Sequence, residues 1–329
     1  MGKINIKKNL KDVKLKINTK PKPTEYDDII NKTNTEINIA ENFYDIATDF
    51  YMYGWGDCFH FARLKNDESF NKSILNHELN LAKQIGINEN STVMDLGCGV
   101  GGPLKNIASN IKCSITGLTI NQYQVEKGNE ILKKESLDDK NKIILGDYLK
   151  LPFDNNSFDS GIDIEATAHC TDLNKYFSEV FRVLKKGGKF GGFAWVSTNK
   201  YDPNNNGHKE SLEKIAYGNG LPCIYSFDDF SDAINKSGLK LVSVDDLALT
   251  SEVPWWKPLA PSWSVSGVKS TPIGRKLTSA LVKTLEYFNQ APKGSSDAHN
   301  ILCTGADGLV YAGKEGIYTP MMMYIVEKN

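Results

Sequence analysis

Residues 91–103, STVMDLGCGVGGP, limit what this chain can fold into more than any other stretch. An apolar run ending at Asp95-Leu96 meets glycines at 97, 99, 101 and 102, and Pro103 then opens the segment LKNIASNI. That order predicts a buried strand, a tight turn and a helix, with proline in the first turn where it is tolerated. Further strands are expected at CSITGL, KIILG, DSGIDI and KFGGFAWV, with a polar helix through about 136. NKYFSEVFRVLKKGG reads as a helix with a lysine-rich end and a glycine stop. Strands alternating with helices imply a parallel sheet covered on both faces. Glycines at such a turn let a ligand approach the backbone and the helix N-terminus.

The identity of that ligand turns on two details. GCGVGG satisfies GxGxxG, so a dinucleotide site is one reading. A nicotinamide site, however, wants an acid about 20 residues on, at the end of the second strand. Here that position reads Gly117-Leu118-Thr119, while Asp95 sits two residues before the first glycine. The pattern instead resembles the S-adenosylmethionine (SAM) methyltransferases, and GDYLKLPFDNNSFD fits them too. The resemblance implies an α/β, Rossmann-like class I fold: a mostly parallel seven-stranded sheet with helices on both faces. It also implies that Asp95, Gly97 and Gly99 hold SAM, with Asp147 and its neighbour Tyr148 at the adenine.

Composition excludes several other classes. The formal charge of −1 gives no field for nucleic acid, and no basic reader motif accompanies it. Six scattered cysteines form no CxxC pair and five histidines show no ligand spacing, so no metal is expected. Cysteine usage fits a reducing, cytosol-facing compartment. No apolar run approaches the ~18 residues that would cross a bilayer. The start lacks the apolar core of a signal peptide, and the first arginine is Arg63. Residues 1–22 carry eight lysines against one acid, which reads as a solvated arm or a weak tether to anionic lipid.

Four regions follow. Residues 1–35 form the lysine-rich arm, expected to be disordered, and 36–90 a helical and aromatic segment with a helix over 36–53. Residues 91–250 form the methyltransferase domain. A change of composition at VPWWKPLAPSW sets off a final region, 251–329. YDPNNNGHKE, near 200–210, reads as a loop.

The aromatic segment YMYGWGDCFHF (51–61) is either core packing or an apolar wall for a substrate. Together with ESF (68–70), IEAT (164–167), WVSTNKYD (195–202), VPWWKPL (253–259) and TPMM (319–322), it resembles the sterol C-24 methyltransferases from about residue 40 onward. GGPLKNIA, GLP and VKTLEYFNQAPKGS are closer to the plant-type branch acting on cycloartenol. The family implies methyl transfer from SAM to a sterol Δ24 double bond, a cation at C25, a hydride shift from C24 to C25 and loss of a proton. Tyr51, Tyr53, Trp55, Phe59 and Trp195 would then form the sterol-binding wall. Aromatic faces attract a cation without readily bonding to it, at ~0.5–2 kcal/mol each.

This sequence departs from the family at the bases. Met52 and Ala194 stand where relatives usually carry acids, and IEATAHCT replaces IEATCHAP. Candidates for removing the proton, or for placing the water that removes it, are Glu165, Glu68 and His60; Glu165 reads equally as a group positioning SAM's sulfonium or the sterol hydroxyl, and His60 as a packed histidine bonded to backbone. Asp163 and Glu165 are expected on one face of a strand, His77 and Glu78 on a helix face, and His169 beside the site. Thr119 and Gln124 fall where related lipid-modifying enzymes bind the ribose and methionine ends of SAM. The implied partners are the sterol and a peripheral membrane or lipid-droplet surface at the cytoplasmic face of the endoplasmic reticulum; such relatives commonly self-associate into homo-oligomers. Competing readings are a cyclopropane-fatty-acid-synthase-like lipid methyltransferase, suggested by GLTINQYQ (117–124), and a sterol-binding protein without catalysis.

Overall fold

The computed structural model describes residues 48, 52, 56–261, 271–288, 290 and 295–329. Helix α1 (Phe70–Gln84) precedes the sheet and is started by Ser69, whose hydroxyl accepts from the Lys72 N–H. Then follow β1 (Thr92–Leu96), α2 (Gly102–Ile111), β2 (Ser114–Thr119), α3 (Gln122–Lys134), β3 (Lys142–Leu145) and β4 (Phe158–Ile164). Helix α4 (Leu173–Val183), β5 (Leu184–Ser197), α5 (Asn206–Asn219), β6 (Tyr225–Ser226), α6 (Phe227–Ser237) and β7 (Lys240–Asp246) complete the middle of the chain. The C-terminal part supplies α7 (Pro272–Tyr287), α8 (Ser295–Glu315) and β8 (Tyr318–Glu327).

The sheet runs β3-β2-β1-β4-β5-β8-β7, with the short β6 beside β5. Strands β1 to β5 pair in parallel, and β8 is antiparallel to both of its neighbours. The expected parallel α/β sheet is therefore present. The final region, 251–329, contributes to the same sheet, because its last strand lies between β5 and β7. The cause is legible in its chemistry: YTPMMMYIV is buried along nearly its whole length, as a strand covered on both faces must be.

Two local expectations also change. Helix α4 ends at Val183, and LKKGG belongs to β5 rather than to a lysine-rich helix end. Leu184 is buried and pairs with Phe158, so the apolar side of the segment is already taken by the sheet. The second half of YDPNNNGHKE is not loop: Asn205 accepts from the N–H groups of Gly207 and His208 and starts α5 there. The expected helix over 36–53 lies outside the described residues except for Thr48 and Met52, both helical, and the lysine-rich arm lies outside them entirely.

Apolar clusters fill both faces. Met94, Phe177, Phe190 and Tyr324 belong to one, and Leu81, Val93, Phe193 and Leu309 to the other. Helices α5 and α8 touch through small residues, since a Cβ on Gly218 would overlap the backbone of Gly305. No described helix is long and apolar enough to cross a membrane.

Candidate active site

Strand β1 lies between β2 and β4, so the connections leaving β1 and entering β4 diverge to opposite sides of the sheet. Open α/β sheets bind ligands in the crevice this leaves beyond the carboxyl ends of the strands. The chain closes that crevice with great economy of space. Gly97 has φ 71°, and a Cβ there would overlap that of Ala166 after β4. Gly99 has φ 56°, and its missing Cβ would stand 3.3 Å from the ring of Phe59. The aromatic segment thus lies directly across the glycine turn.

A cavity of about 470 Å³ opens here, a volume suited to a small-molecule ligand. At the sheet it is lined by Gly97, Cys98, Gly99, Thr119, Gln124 and Tyr148, and beside them by Phe59, His60, Phe61, Glu165, His169 and Trp195. Thr119 donates to Gln124 at 2.6 Å, and Gln124 donates on to Thr48 at 3.2 Å. Asp95 sits beneath the loop, 2% exposed, with one carboxylate oxygen lacking any hydrogen-bond partner. Burial, with the nearby charge of Asp163, pushes its carboxyl up to about 8. Asp147 does not itself line the cavity; it accepts from the Leu149 N–H at 2.7 Å, while Gly146 and Tyr148 on either side reach the wall.

These residues fit SAM. A backbone stripped of side chains at 97 and 99 and a polar Thr119–Gln124 pair offer room and acceptors for its amino-acid and ribose parts, while Asp95, with its orphaned oxygen, lies beneath the loop and not on the cavity wall. Tyr148, braced edge-on by Tyr176, supplies an aromatic surface for a base.

Glu165 does not continue the strand. It takes the left-handed conformation, φ 66°, at the start of a 3-10 turn over Ala166–His169. Its carboxylate accepts from the Phe61 N–H at 2.6 Å and faces the cavity. Asp163 instead accepts from the Tyr176 hydroxyl at 2.7 Å, the Tyr324 hydroxyl at 3.4 Å and the Ala166 N–H at 2.8 Å. The expected pair on one face is therefore split: Asp163 anchors the turn, and the turn redirects Glu165. Burial pushes the Glu165 carboxyl up to about 8, against the pull of His60. The Trp195 indole N–H lies beside it but completes no regular hydrogen bond.

The other two candidate bases are placed differently. His60 directs Nδ1 at the Phe61 carbonyl, 2.8 Å, and Nε2 at Glu78, 3.0 Å. The Phe61 carbonyl accepts and an ionised Glu78 carboxylate accepts too, an arrangement that suits the doubly protonated ring. Burial works against this charge, but the Glu78 hydrogen bond and charge hold His60 above its usual range. It is not free to take a proton. Glu68 lies outside the cavity, bonded to Asn76, Ser73 and Lys65. Cys58, His60 and Glu78 bring ligand-type atoms within 4.8 Å of one another, and the Asn106 amide donates to Cys58 and Glu78 at 3.3 and 2.8 Å. His77, its basicity well below normal through burial, stacks on Phe193 at 3.8 Å.

Phe61, Trp195, Trp255 and Tyr318 form a chain of edge and tilted contacts at 5.3–6.1 Å around the site. Of the sequence-predicted wall, Phe59 and Trp195 face the cavity, whereas Tyr51, Tyr53 and Trp55 lie outside the described residues. Sequence reading missed the far wall: His299, Leu302, Cys303, Ala306 and Leu309 of α8, with Arg275 of α7. Their three- and four-residue spacing marks one helix face, the signal that was available.

Comparison with known proteins supports this geometry. The family described as Methyltransferase domain matches residues 94–191, and Sterol methyltransferase C-terminal matches 265–328. The chain is 42% identical over 306 residues to cycloartenol-C-24-methyltransferase 1 of Oryza sativa, covering 93% of this chain and 86% of that one. It is 40% identical over 298 residues to sterol 24-C-methyltransferase of Kluyveromyces lactis, covering 88% and 80%. Its fold is similar to the cyclopropane synthase MmaA2 of Mycobacterium tuberculosis, with TM-score 0.69, 14% identity and coverage of 91% and 100%. It is also similar to geranyl diphosphate C-methyltransferase of Streptomyces coelicolor, with TM-score 0.64, 15% identity and coverage of 91% and 99%.

Fold and cavity together define a class I SAM-dependent methyltransferase. Within that class, the chain belongs to the sterol 24-C-methyltransferase family.

Proposed function

We propose that this enzyme transfers a methyl group from SAM to C24 of a Δ24 sterol, with cycloartenol the favoured substrate, and yields a 24-methylene sterol. The observation that carries the reading is one cavity in which the glycine turn, an aromatic wall and the buried carboxyl of Glu165 converge. The plant-type preference rests on GGPLKNIA, GLP and VKTLEYFNQAPKGS, since the rice and Kluyveromyces relatives are almost equally identical to the chain, at 42% and 40%. SAM, when bound, supplies an electrophilic methyl group. The C24=C25 π pair forms the new C–C bond as the sulfur–methyl bond breaks, which leaves positive charge at C25. A hydride moves from C24 to C25, and the new methyl then loses a proton to give the exocyclic alkene.

The chain's own residues serve three needs of that chemistry. Phe59, Phe61 and Trp195 exclude water from the cation and offer it ring faces. Glu165 takes the proton at its carboxylate once ionised, with the Phe61 N–H orienting it. His60 and Glu78 hold the aromatic segment in place. The remaining wall orients the sterol: the side chain lies towards Glu165, and the ring nucleus runs along α8 towards Arg275 and His299. From Leu309 to His299 is about 15 Å of helix, a distance scaled to a sterol.

The substrate's insolubility supports peripheral attachment to a membrane, at the cytoplasmic face of the endoplasmic reticulum or on lipid droplets. Purified protein given methyl-labelled SAM with cycloartenol, zymosterol or an unsaturated phospholipid tests the reading. Label in 24-methylene sterol is the expected result, and label only in phospholipid overturns it.

A further inference from the structure

Helix α7 carries an apolar stripe that no described part of the chain covers. Ile273, Leu277, Leu281, Leu285 and Phe288 recur at three- and four-residue spacing, so they share one side of the helix. Each is between 37% and 68% exposed. A surface helix of a globular protein ordinarily turns such a stripe to the core. Here the opposite side is the one tied down. Arg275 donates to Asp307 at 2.8 Å and to the Cys303 carbonyl at 3.3 Å, and Ser279 donates to Asn300 at 3.0 Å. Ser296 donates to Glu286 at 2.9 Å. Those bonds fix the polar side of α7 on α8 and leave the leucines facing out.

We infer that this outer face of α7 is the surface by which the enzyme docks on an anionic phospholipid bilayer, an inference that rests on the proposed sterol chemistry. Charge and chemistry both favour that occupant. Lys276 and Lys283, both exposed, lie along one flank of the stripe with Tyr287, which is 81% exposed. Apolar side chains bordered by lysines and an amphipathic ring are what an interfacial helix presents to lipid headgroups and the acyl boundary. The position of the helix matters equally. Arg275, on the inner side, lines the same cavity as Glu165. A bilayer against the outer side would sit one helix thickness, about 10 Å, from a cavity built for a bilayer-dissolved substrate. The five side chains also form one row along the helix rather than the singly scattered surface hydrophobics that need no explanation.

The test is sedimentation of the full chain with phosphatidylcholine vesicles containing phosphatidylserine, comparing wild type, Leu277→Glu/Leu281→Glu and Lys276→Glu/Lys283→Glu. The leucine variant should partition to vesicles at least about tenfold more weakly, and the lysine variant should lose chiefly the part that depends on phosphatidylserine. Both should retain methyl transfer to detergent-dispersed sterol, which shows that they fold. Leucine-variant binding equal to wild type overturns the assignment. So does a wild-type dimer, seen by light scattering, that this variant splits while vesicle binding persists, since a second copy would then cover the face. Absence of sterol methylation by the wild type in detergent would strike the underlying function and leave the vesicle result separate.

Discussion

The backbone N–H of Phe61 donates to the carboxylate of Glu165 at 2.6 Å, joining two residues 104 positions apart. The bond ties the aromatic segment to the end of β4, so one wall of the cavity and its buried carboxyl are placed by one contact. Burial holds the Glu165 carboxyl up at about 8, so at neutral pH most of it carries a proton. Turnover should therefore rise with pH through an apparent pKa near 8. Glu165→Gln should lower turnover roughly tenfold or more and erase that limb of the profile, because the amide still accepts from Phe61 but takes no proton. A profile unchanged in the variant would remove Glu165 from the role of base.

The close approach of Gly97 to Ala166 gives a second prediction. Gly97→Ala introduces a methyl group that overlaps the Ala166 Cβ and also forces a side chain into φ 71°. SAM affinity, measured by titration calorimetry, should fall roughly tenfold or more. Adding Ala166→Gly removes the clash and leaves the dihedral, so it should restore part of the loss. No recovery in the double variant would show that the dihedral alone sets the penalty.

Legibility in the sequence followed physical range. The glycine turn, the strands flanking it and the order β1 to β5 depend on local patterns, and all were readable. β8 was not, because a buried MMMYIV run says that a strand is covered on both faces without saying which neighbours cover it. Glu165 was found by its place at a strand end, but its left-handed turn depends on Asp163 meeting Tyr176 and Tyr324, contacts made across the fold. His60 was readable either as a candidate base or as a packed histidine bonded to backbone, and only the fold, which sets it between the Phe61 carbonyl and Glu78 18 residues away, separates the two.

That same pair predicts a pH-dependent stability. His60 is raised above its ordinary value in the folded protein by Glu78, so its contribution is full below about 6.5, its unfolded value, and is lost as pH rises through its folded pKa. Glu78→Gln removes the counter-charge of a buried ring. Urea denaturation at pH 6 should show a loss of about 3 kcal/mol, shrinking towards alkaline pH, and the histidine resonance should titrate lower. A loss independent of pH would mean that Glu78 acts through packing alone.

Trp195 can be divided into its ring and its N–H. Trp195→Phe keeps an aromatic face and should preserve the 24-methylene product, with a modest change in rate. Trp195→Ala opens space for water beside the cation and should divert part of the product to a C25 alcohol, detectable by mass spectrometry. Each aromatic face contributes only ~0.5–2 kcal/mol, so the diversion should be partial. An alanine variant that forms the 24-methylene sterol alone would place the cation elsewhere in the cavity.

The far end of the cavity should read the sterol's polar head. His299 stands 3.6 Å from the Cys303 sulfur, and burial lowers its basicity, so it meets the substrate as a neutral ring able to hydrogen-bond a hydroxyl. Arg275, on the same wall, is held by Asp307 and the Cys303 carbonyl. With wild type, replacing the sterol's 3-hydroxyl by a 3-methoxy group should raise KM while sparing kcat, since the contact lies far from the reacting carbon. His299→Leu should raise KM for the 3-hydroxy sterol roughly tenfold and shrink its advantage over the 3-methoxy compound. An advantage undiminished in the variant would show that the ring nucleus enters the cavity in some other direction.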